Sequence, residues 1–110
     1  MAVDEGFANR VRQVLATADG VSDKRMFGGL AFLVHGNMSV GVHGSELIVR
    51  IDPADMDDAL RNPGVRIFDL SGRPMKGWVL VSASALERNE ALVTWIGRGV
   101  SHARSLPKKK

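Results

Sequence analysis

The chain has 110 residues, of which 45% are hydrophobic and 25% are charged, so its size and composition fit one globular domain and exclude general disorder. It contains no cysteine, which excludes disulfides, thiolate nucleophiles and cysteine-ligated zinc. The net charge of +3 resides in the last three lysines, because the other 12 basic residues are balanced by 12 acidic ones. We therefore expect a single domain over residues 1–107 and a basic tail at residues 108–110.

The first predicted element is an amphipathic helix near the N-terminus. Asp4 suits the N-cap position, and Asp19-Gly20 suits the end of the helix. The apolar residues recur at helical spacing and form one stripe: Phe7, Val11, Val14, Leu15 and Ala18.

Residues 24–51 alternate between apolar and polar side chains, which predicts antiparallel strands joined by tight turns. Gly36-Asn37 and Gly44-Ser45 are typical of two-residue hairpin turns that begin with glycine. These turns place Val40 opposite both Leu33 and Val49 on the neighbouring strands.

The same register divides the predicted sheet into two faces. We expect the helices to cover the wholly apolar face: Ala31, Leu33, Met38, Val40, Val42, Leu47, Val49 and Ile51. The other face is mixed, and we expect it to be partly open or to meet a partner: Leu30, Phe32, Val34, Ser39, Gly41, His43, Glu46, Ile48 and Arg50. On this face the ring of Phe32 would cover Gly41. We predict that Phe32, Val34 and Ile48 form a protein interface, which includes self-association as one case.

Two further helices are predicted from capping residues and proline. Asp52-Pro53 begins a short second helix, and Asn62-Pro63 ends it. Asn89 is the candidate N-cap of the last helix, which ends before Pro107. The stripe of the last helix is Leu92, Trp95, Ile96, Gly99, Val100 and Ala103.

Two more strands are predicted at residues 65–70 and 78–81, with a loop at residues 71–77 between them. Tight hairpins make the sheet antiparallel, and its helices are expected on one face. The fold class is therefore α+β in two layers, in the order α-β3/4-α-β2-α.

Histidine and aspartate are the candidates for metal binding. His35 and His43 at the two ends of one strand would lie roughly 26 Å apart, too far for one ion, and His102 suits the C-terminal end of a helix. Four aspartates lie at the start of the second helix: Asp52, Asp55, Asp57 and Asp58. They lack the spacing of a calcium loop and favour the positive end of the helix dipole. We expect no metal, no cofactor and no catalytic residues.

Two loops combine glycine with cations and are candidate binding sites. Gly28-Gly29, preceded by Lys24-Arg25, forms either a bend between strands or a backbone cradle for an anion. The second loop, at residues 72–78, serves either binding or ordinary packing. The candidate binding-loop residues are Arg25, Gly28, Gly29, Arg73, Lys76 and Trp78.

At these loops the sequence resembles the N-terminal domain family of TfoX/Sxy proteins, in its single-domain form. The matching strings are R-M-F-G-G at residues 25–29, the Gly36-Asn37-Met38 turn, P-M-K-G-W at residues 74–78, and the closing stretch at residues 95–107. The resemblance covers about residues 4–107. It implies an α+β domain and a link to the regulation of competence genes for DNA uptake, and it brings no catalytic residues.

The leading hypothesis is a non-enzymatic regulatory or adaptor domain that acts through protein contacts. No apolar run is long enough to span a bilayer and the N-terminus lacks a signal-peptide pattern, so we expect it in the cytoplasm. The alternative is a nucleic-acid-binding accessory protein that contacts phosphate through Arg25, Arg73, Lys76 and the lysine tail. A third hypothesis is a small enzyme or ligand-binding protein that uses the polar side chains of the mixed face, His43, Glu46 or Arg50.

Overall fold

The structure, a computed structural model, describes residues 4–26, 29–70 and 73–107. The strands are β1 (Val21–Met26), β2 (Gly29–Val34), β3 (Asn37–His43), β4 (Glu46–Arg50), β5 (Val65–Leu70) and β6 (Arg73–Val81). The helices are α1 (Glu5–Leu15), α2 (Met56–Leu60) and α3 (Asn89–Ser105), with 3-10 turns at Pro53–Asp55 and Ala83–Leu86. The strands form one antiparallel sheet in the order β1-β2-β3-β4-β6-β5, which confirms the predicted α+β class. No helix in the described part of the chain combines the length and apolar character needed to cross a bilayer.

The main hydrophobic core lies between the three helices and one face of the sheet. The helices contribute Phe7, Ala8, Val11, Leu15, Met56, Ala59, Leu92, Trp95 and Ile96. The strands contribute Leu30, Phe32, Val40, Val42, Leu47, Val49, Val79 and Val81. The second face carries a smaller buried cluster made of strand residues: Ala31, Met38, Ile48, Phe68 and Leu80. This separation agrees with the prediction that the helices gather on one face.

The helix ends follow their capping residues only in part. The Asp4 side chain accepts a hydrogen bond from the amide of Phe7 at 3.1 Å, which confirms the predicted N-cap of α1. The helix ends at Leu15, so the prediction that it continues to Asp19-Gly20 is wrong. After Leu15 the chain makes a turn, in which the amide of Ala18 donates to the carbonyl of Leu15 at 3.0 Å, and it then enters the sheet, where the carbonyl of Gly20 accepts a hydrogen bond from the amide of His35 at 2.9 Å.

The second helix begins as predicted, and the third does not. Asp52 accepts a hydrogen bond from the amide of Ala54 at 2.9 Å, and Pro53 opens the 3-10 turn that leads into α2. Asn89 is the first residue of α3, and Arg88 occupies the N-cap without a side-chain hydrogen bond, so the predicted cap is wrong.

A β-bulge in β3 sets which face of β2 meets the helices. Leu33 lies opposite Met38 but Phe32 lies opposite Val40, so Ser39 is an extra residue in β3. The buried Ser39 hydroxyl donates to the carbonyl of Phe32 at 3.0 Å. An extra residue reverses the alternation of side chains between the two faces. Phe32 therefore points towards the helices.

The predicted register is consequently wrong for β2 and right for the hairpin of β3 and β4. The first turn is His35-Gly36, with φ angles of 51° and 83°, because Val34 pairs with Asn37. The Gly44-Ser45 turn is confirmed. The predicted placement of β2 is therefore reversed: Leu33 does not pair with Val40, Phe32 does not cover Gly41, and Ala31 faces away from the helices whereas Leu30 faces them. Met38, before the bulge in β3, also lies on the second face and not under the helices as predicted.

Helix α3 crosses the sheet directly over the bulge. A Cβ atom at Gly99 would lie 2.5 Å from the Ser39 carbonyl oxygen and 2.6 Å from a Val40 methyl carbon, so only glycine permits this approach. Just beyond the helix, the carbonyl of Pro107 accepts a hydrogen bond of 2.8 Å from the side-chain amide of Asn37, which is 2% exposed. This hydrogen bond therefore joins the first residue of β3 to the segment that follows α3.

Strand β6 is longer than predicted and strongly bulged. It begins at Arg73, so the predicted loop at residues 71–77 is mostly strand. Ile67 pairs with Val79 while Asp69 pairs with Pro74, so four residues of β6 lie opposite one residue of β5. Gly77 lies in this bulge with a φ of +84°, a backbone conformation that favours glycine.

Candidate protein-binding surface at the sheet edge

The three residues predicted to form an interface do not share a surface. Phe32 is 3% exposed and Val34 is fully buried, and Phe32 belongs to the core under the helices. Ile48 lies on the second face as predicted, but it is 3% exposed within the smaller cluster. The bulge at Ser39 is the physical reason, because it turns Phe32 inwards. The predicted patch is therefore not a surface of the folded chain.

The polar side chains of the second face form two separate pairs. His43 and Glu46 lie opposite each other, and both carboxylate oxygens of Glu46 accept hydrogen bonds of 3.0 Å from the Arg66 guanidinium. The hydrogen bond to Glu46 raises the pKa of Arg66 above its ordinary value. Arg50 lies at the other end of β4, with its guanidinium 5.4 Å from the centre of the Trp78 ring. Residues His43, Glu46 and Arg50 thus do not converge on one point, as the third hypothesis requires.

The two predicted binding loops leave opposite ends of the sheet. β1 ends at Met26, on the side where β6 ends, whereas the β5–β6 connection lies at the start of β6. Strands β1 and β6 are also four strand positions apart, about 19 Å in a flat sheet. The side chains of Arg25 on β1 and Lys76 on β6 are both exposed. Because the two strands are far apart in the sheet, these two cations lie in different regions of the protein surface.

The other candidate loop residues are placed as follows. Gly29 is buried in β2, and Trp78 is half-buried beside Arg50. Gly28 and the side chain of Arg73 lie outside the part of the chain that the structure describes.

The three histidines lie apart from one another, although His102 lines the same cavity as Asp52 and Asp55. His35 and His43 lie at opposite ends of β3, and His102 lies on α3. Asp58 comes within 3.9 Å of the Arg98 guanidinium. Within residues 4–26, 29–70 and 73–107, no group of three or more His, Asp or Glu side chains is arranged to hold a metal ion.

Strand β1 presents an unpaired edge of the sheet. It pairs with β2 on one side, and no described segment pairs with its other side. The hydrogen bond from His35 to Gly20 belongs to a bonded pair, and bonded pairs alternate along an antiparallel ladder. The backbone groups of Ser22 and Lys24 therefore bond to β2. Those of Val21, Asp23 and Arg25 point outwards.

A groove runs beside this edge, between β1 and the C-terminal end of α1. Its volume is about 270 Å³, and its lining residues are Arg12, Leu15, Ala16, Ala18, Val21, Ser22, Asp23 and Phe32. The side chains of Val21 and Asp23 lie on the helix side of the sheet, because they pair with Val34 and Phe32. We call β1 and this groove the β1 edge. The sequence pattern pointed to Arg25 but not to the groove, although three charged residues within six are a signal of an edge strand.

Comparison with known proteins decides the family. The family profile described as the TfoX N-terminal domain matches residues 13–103. The chain belongs to the TfoX N-terminal domain family. No match was found among curated proteins.

The second signature string of this TfoX N-terminal domain coincides with an irregular part of its sheet. The string P-M-K-G-W spans the bulge of β6, where the carbonyl of Gly77 accepts a hydrogen bond from the Ile51 amide at 2.8 Å. A side chain at Gly77 would press on the Ile51 carbonyl, 2.9 Å away. The string R-M-F-G-G joins β1 to β2, and its described glycine, Gly29, lies directly against the backbone of β3. These glycines serve the architecture of the sheet.

Proposed function

We propose that this TfoX N-terminal domain is a non-enzymatic cytoplasmic regulatory or adaptor domain that binds another protein along the β1 edge. The observation that carries the proposal is the row of outward-facing backbone groups at Val21, Asp23 and Arg25. An unpaired strand edge accepts a further strand by main-chain hydrogen bonds, and adjacent pockets select its side chains. Residues Ser22 to Arg25 are exposed, so a partner strand has access to the edge.

The rival functions receive less support from the same structure. Nucleic-acid binding needs a basic face, but Arg25 and Lys76 lie at opposite ends of the sheet and the chain without its lysine tail is neutral. Catalysis on the second face needs converging groups, but Glu46 is held by Arg66 and Arg50 by Trp78. Protein binding at the β1 edge requires no such convergence.

Two substitutions of one residue test the proposal. Asp23→Pro removes an amide that points away from β2, so the sheet keeps its internal hydrogen bonds and the edge loses a donor. Asp23→Ala removes the same carboxylate and keeps the amide, and it is the matched control. Both variants are checked by thermal unfolding and then used, beside the unmodified chain, to capture proteins from the native cells.

We expect the unmodified chain and Asp23→Ala to retain the same protein, and Asp23→Pro to lose it. Capture of the same proteins by all three chains would contradict binding at this edge. If Asp23→Pro does not fold, the same test is made at Arg25, whose amide also points outwards. Arg25→Pro is then compared with Arg25→Ala. Binding of labelled DNA at low salt, lost on deletion of residues 108–110, would favour the nucleic-acid alternative instead.

A further inference from the structure

We propose that the partner bound at the β1 edge is a second copy of this chain, and that the two β1 strands pair antiparallel in the register centred on Lys24. This inference rests on the proposed function and names its partner as another molecule of the same protein. Three features of the β1 edge support it: the order of charges along the strand, the absence of counter-charges within the described residues, and the polar lining of the groove.

The order of charges along β1 is self-complementary. Two β1 strands joined edge to edge as antiparallel neighbours are related by a two-fold axis perpendicular to the sheet, so one residue lies opposite its own copy. When that residue is Lys24, Asp23 of each copy lies opposite Arg25 of the other, and this pair occurs twice. Both residues have outward-facing backbone groups, so each pair exchanges two main-chain hydrogen bonds at a Cα separation of about 5.5 Å. No other register of the two strands places Asp23 opposite Arg25.

Asp23 and Arg25 carry opposite charges that have no partner elsewhere in the described chain. Both side chains are exposed and lie on the helix side of the sheet, because these residues pair with Phe32 and Leu30 of the main core. Among residues 4–26, 29–70 and 73–107, neither forms an ion pair or a side-chain hydrogen bond. Opposite charges that face each other across two strands are stabilising. A second copy supplies the counter-charge to both residues at once.

The groove beside the edge suits an arginine of the second copy. Asp23 is one of its lining residues, so the partner's Arg25, opposite Asp23 and on the same side of the sheet, extends to the groove. The groove offers the Asp23 carboxylate to the guanidinium and apolar contacts, Val21 among them, to the methylene groups of that side chain. The chain's own cation at the groove, Arg12, is held by the side-chain oxygen of Asn9 at 2.9 Å, so Asp23 is left to the partner.

Lys24 limits the strength of this pairing. It pairs with Ala31 and therefore lies on the second face, where the two copies of its ammonium group oppose each other. The side chain is exposed and long, so the two charges can separate into water while the backbones stay paired. We therefore expect a reversible dimer, which Lys24→Gln should tighten about two- to fivefold because it removes the repulsion.

Exchange of the two charges tests the pairing and its register together. Sedimentation equilibrium of the full chain at low salt measures the dimer over micromolar concentrations. Asp23→Arg places like charges at both pairs and should weaken the dimer about tenfold or more, and Arg25→Asp should do the same. The double variant with both substitutions restores two opposite-charge pairs and should dimerise within about threefold of the unmodified chain. Both side chains are exposed, so these changes should leave the fold intact, which thermal unfolding checks.

The proline and alanine variants at residue 23 separate the backbone from the charge. Asp23→Pro removes a backbone donor from each of the two pairs and should abolish the dimer. Asp23→Ala keeps these donors and loses only the two exposed ion pairs, so it should weaken the dimer about two- to tenfold.

A chain that stays monomeric at all these concentrations, or a dimer that both single charge reversals leave intact, would overturn the inference. A double variant that dimerises as weakly as the single reversals would also overturn it, because the two strands would then not pair in this register. If the chain is monomeric and Asp23→Pro loses a different protein from cell capture, the second copy is wrong and the proposed function stands. If Asp23→Pro leaves both the dimer and cell capture intact, the inference and the proposed function fail together.

Discussion

Gly97 and Gly99, two residues apart on α3, give opposite predictions for the same substitution. A Cβ atom at Gly97 would meet nothing within 4 Å, whereas a Cβ atom at Gly99 would meet the Ser39 carbonyl and a Val40 methyl group. Alanine removes the conformational cost of glycine in a helix at both positions, worth about 0.8–1 kcal/mol. Gly97→Ala should therefore stabilise the fold by up to about 1 kcal/mol.

At Gly99 the same gain is outweighed by overpacking. The Ser39 oxygen belongs to the backbone and Val40 is fully buried, so neither can turn aside. Forcing an extra carbon into such a site costs about 1–3 kcal/mol, and contacts of 2.5 and 2.6 Å favour the upper part of that range. We expect Gly99→Ala to destabilise the chain by about 1–2 kcal/mol, which separates the two variants by roughly 2–3 kcal/mol.

Urea unfolding followed by circular dichroism measures both variants. The midpoint should rise for Gly97→Ala and fall for Gly99→Ala, with little change in the slope of the transition. If both substitutions moved the midpoint in the same direction, the packing of α3 on the bulge of β3 would be wrong.

Three further predictions concern the core, the bulge of β6 and the ion pair of the second face. Phe32→Ala should lower the free energy of unfolding in urea by about 3–5 kcal/mol, because the side chain is buried. Val93→Ala at an exposed site should change it by no more than about 0.5 kcal/mol. Equal effects of the two substitutions would contradict the burial of Phe32. Gly77→Ala should lower the melting temperature, at a cost of about 1–3 kcal/mol, because its φ of +84° strains any side chain, and an unchanged melting temperature would contradict this. Glu46→Gln should lower the free energy of unfolding by less than about 1 kcal/mol at low salt, because the ion pair with Arg66 is exposed. In about 1 M NaCl the effect should almost vanish, because salt screens the pair. An effect that does not depend on salt would contradict this account.

Local signals in the sequence predicted much of the fold. Three confirmed features each depend on residues within four positions of one another. They are the cap at Asp4, the turn at Gly44-Ser45 and the helix start at Asp52-Pro53. Strand β5 has the predicted bounds, Val65–Leu70. Short-range hydrogen bonds and backbone preferences depend on neighbouring residues, so they can be predicted from a single sequence.

The errors arise where distant parts of the chain decide the local structure. The bulge at Ser39 lies under Gly99, 60 residues later, and no alternation within residues 24–51 reveals that contact. The bulge at Gly77 likewise depends on the backbone of Ile51. These two irregularities misplaced Phe32 and hid the extent of β6.

The candidate site was predicted only in fragments. Arg25 was named as a cation of a loop, and it lies on an edge strand instead. The groove depends on α1 ending at Leu15 and on the inward turn of Phe32, and both differ from the prediction. A binding site made by the meeting of a helix end and a strand edge requires the tertiary structure.

The hydrogen bond between Asn37 and Pro107 has a consequence for any shortened version of the chain. A truncation after Ser105 would keep every residue of α3 and still remove the acceptor of a buried amide. Loss of this part-buried hydrogen bond is expected to cost about 0.5–1.5 kcal/mol. Variants should therefore be compared in chains that all extend at least to Pro107. In such chains a change in the free energy of unfolding reports on the substitution alone.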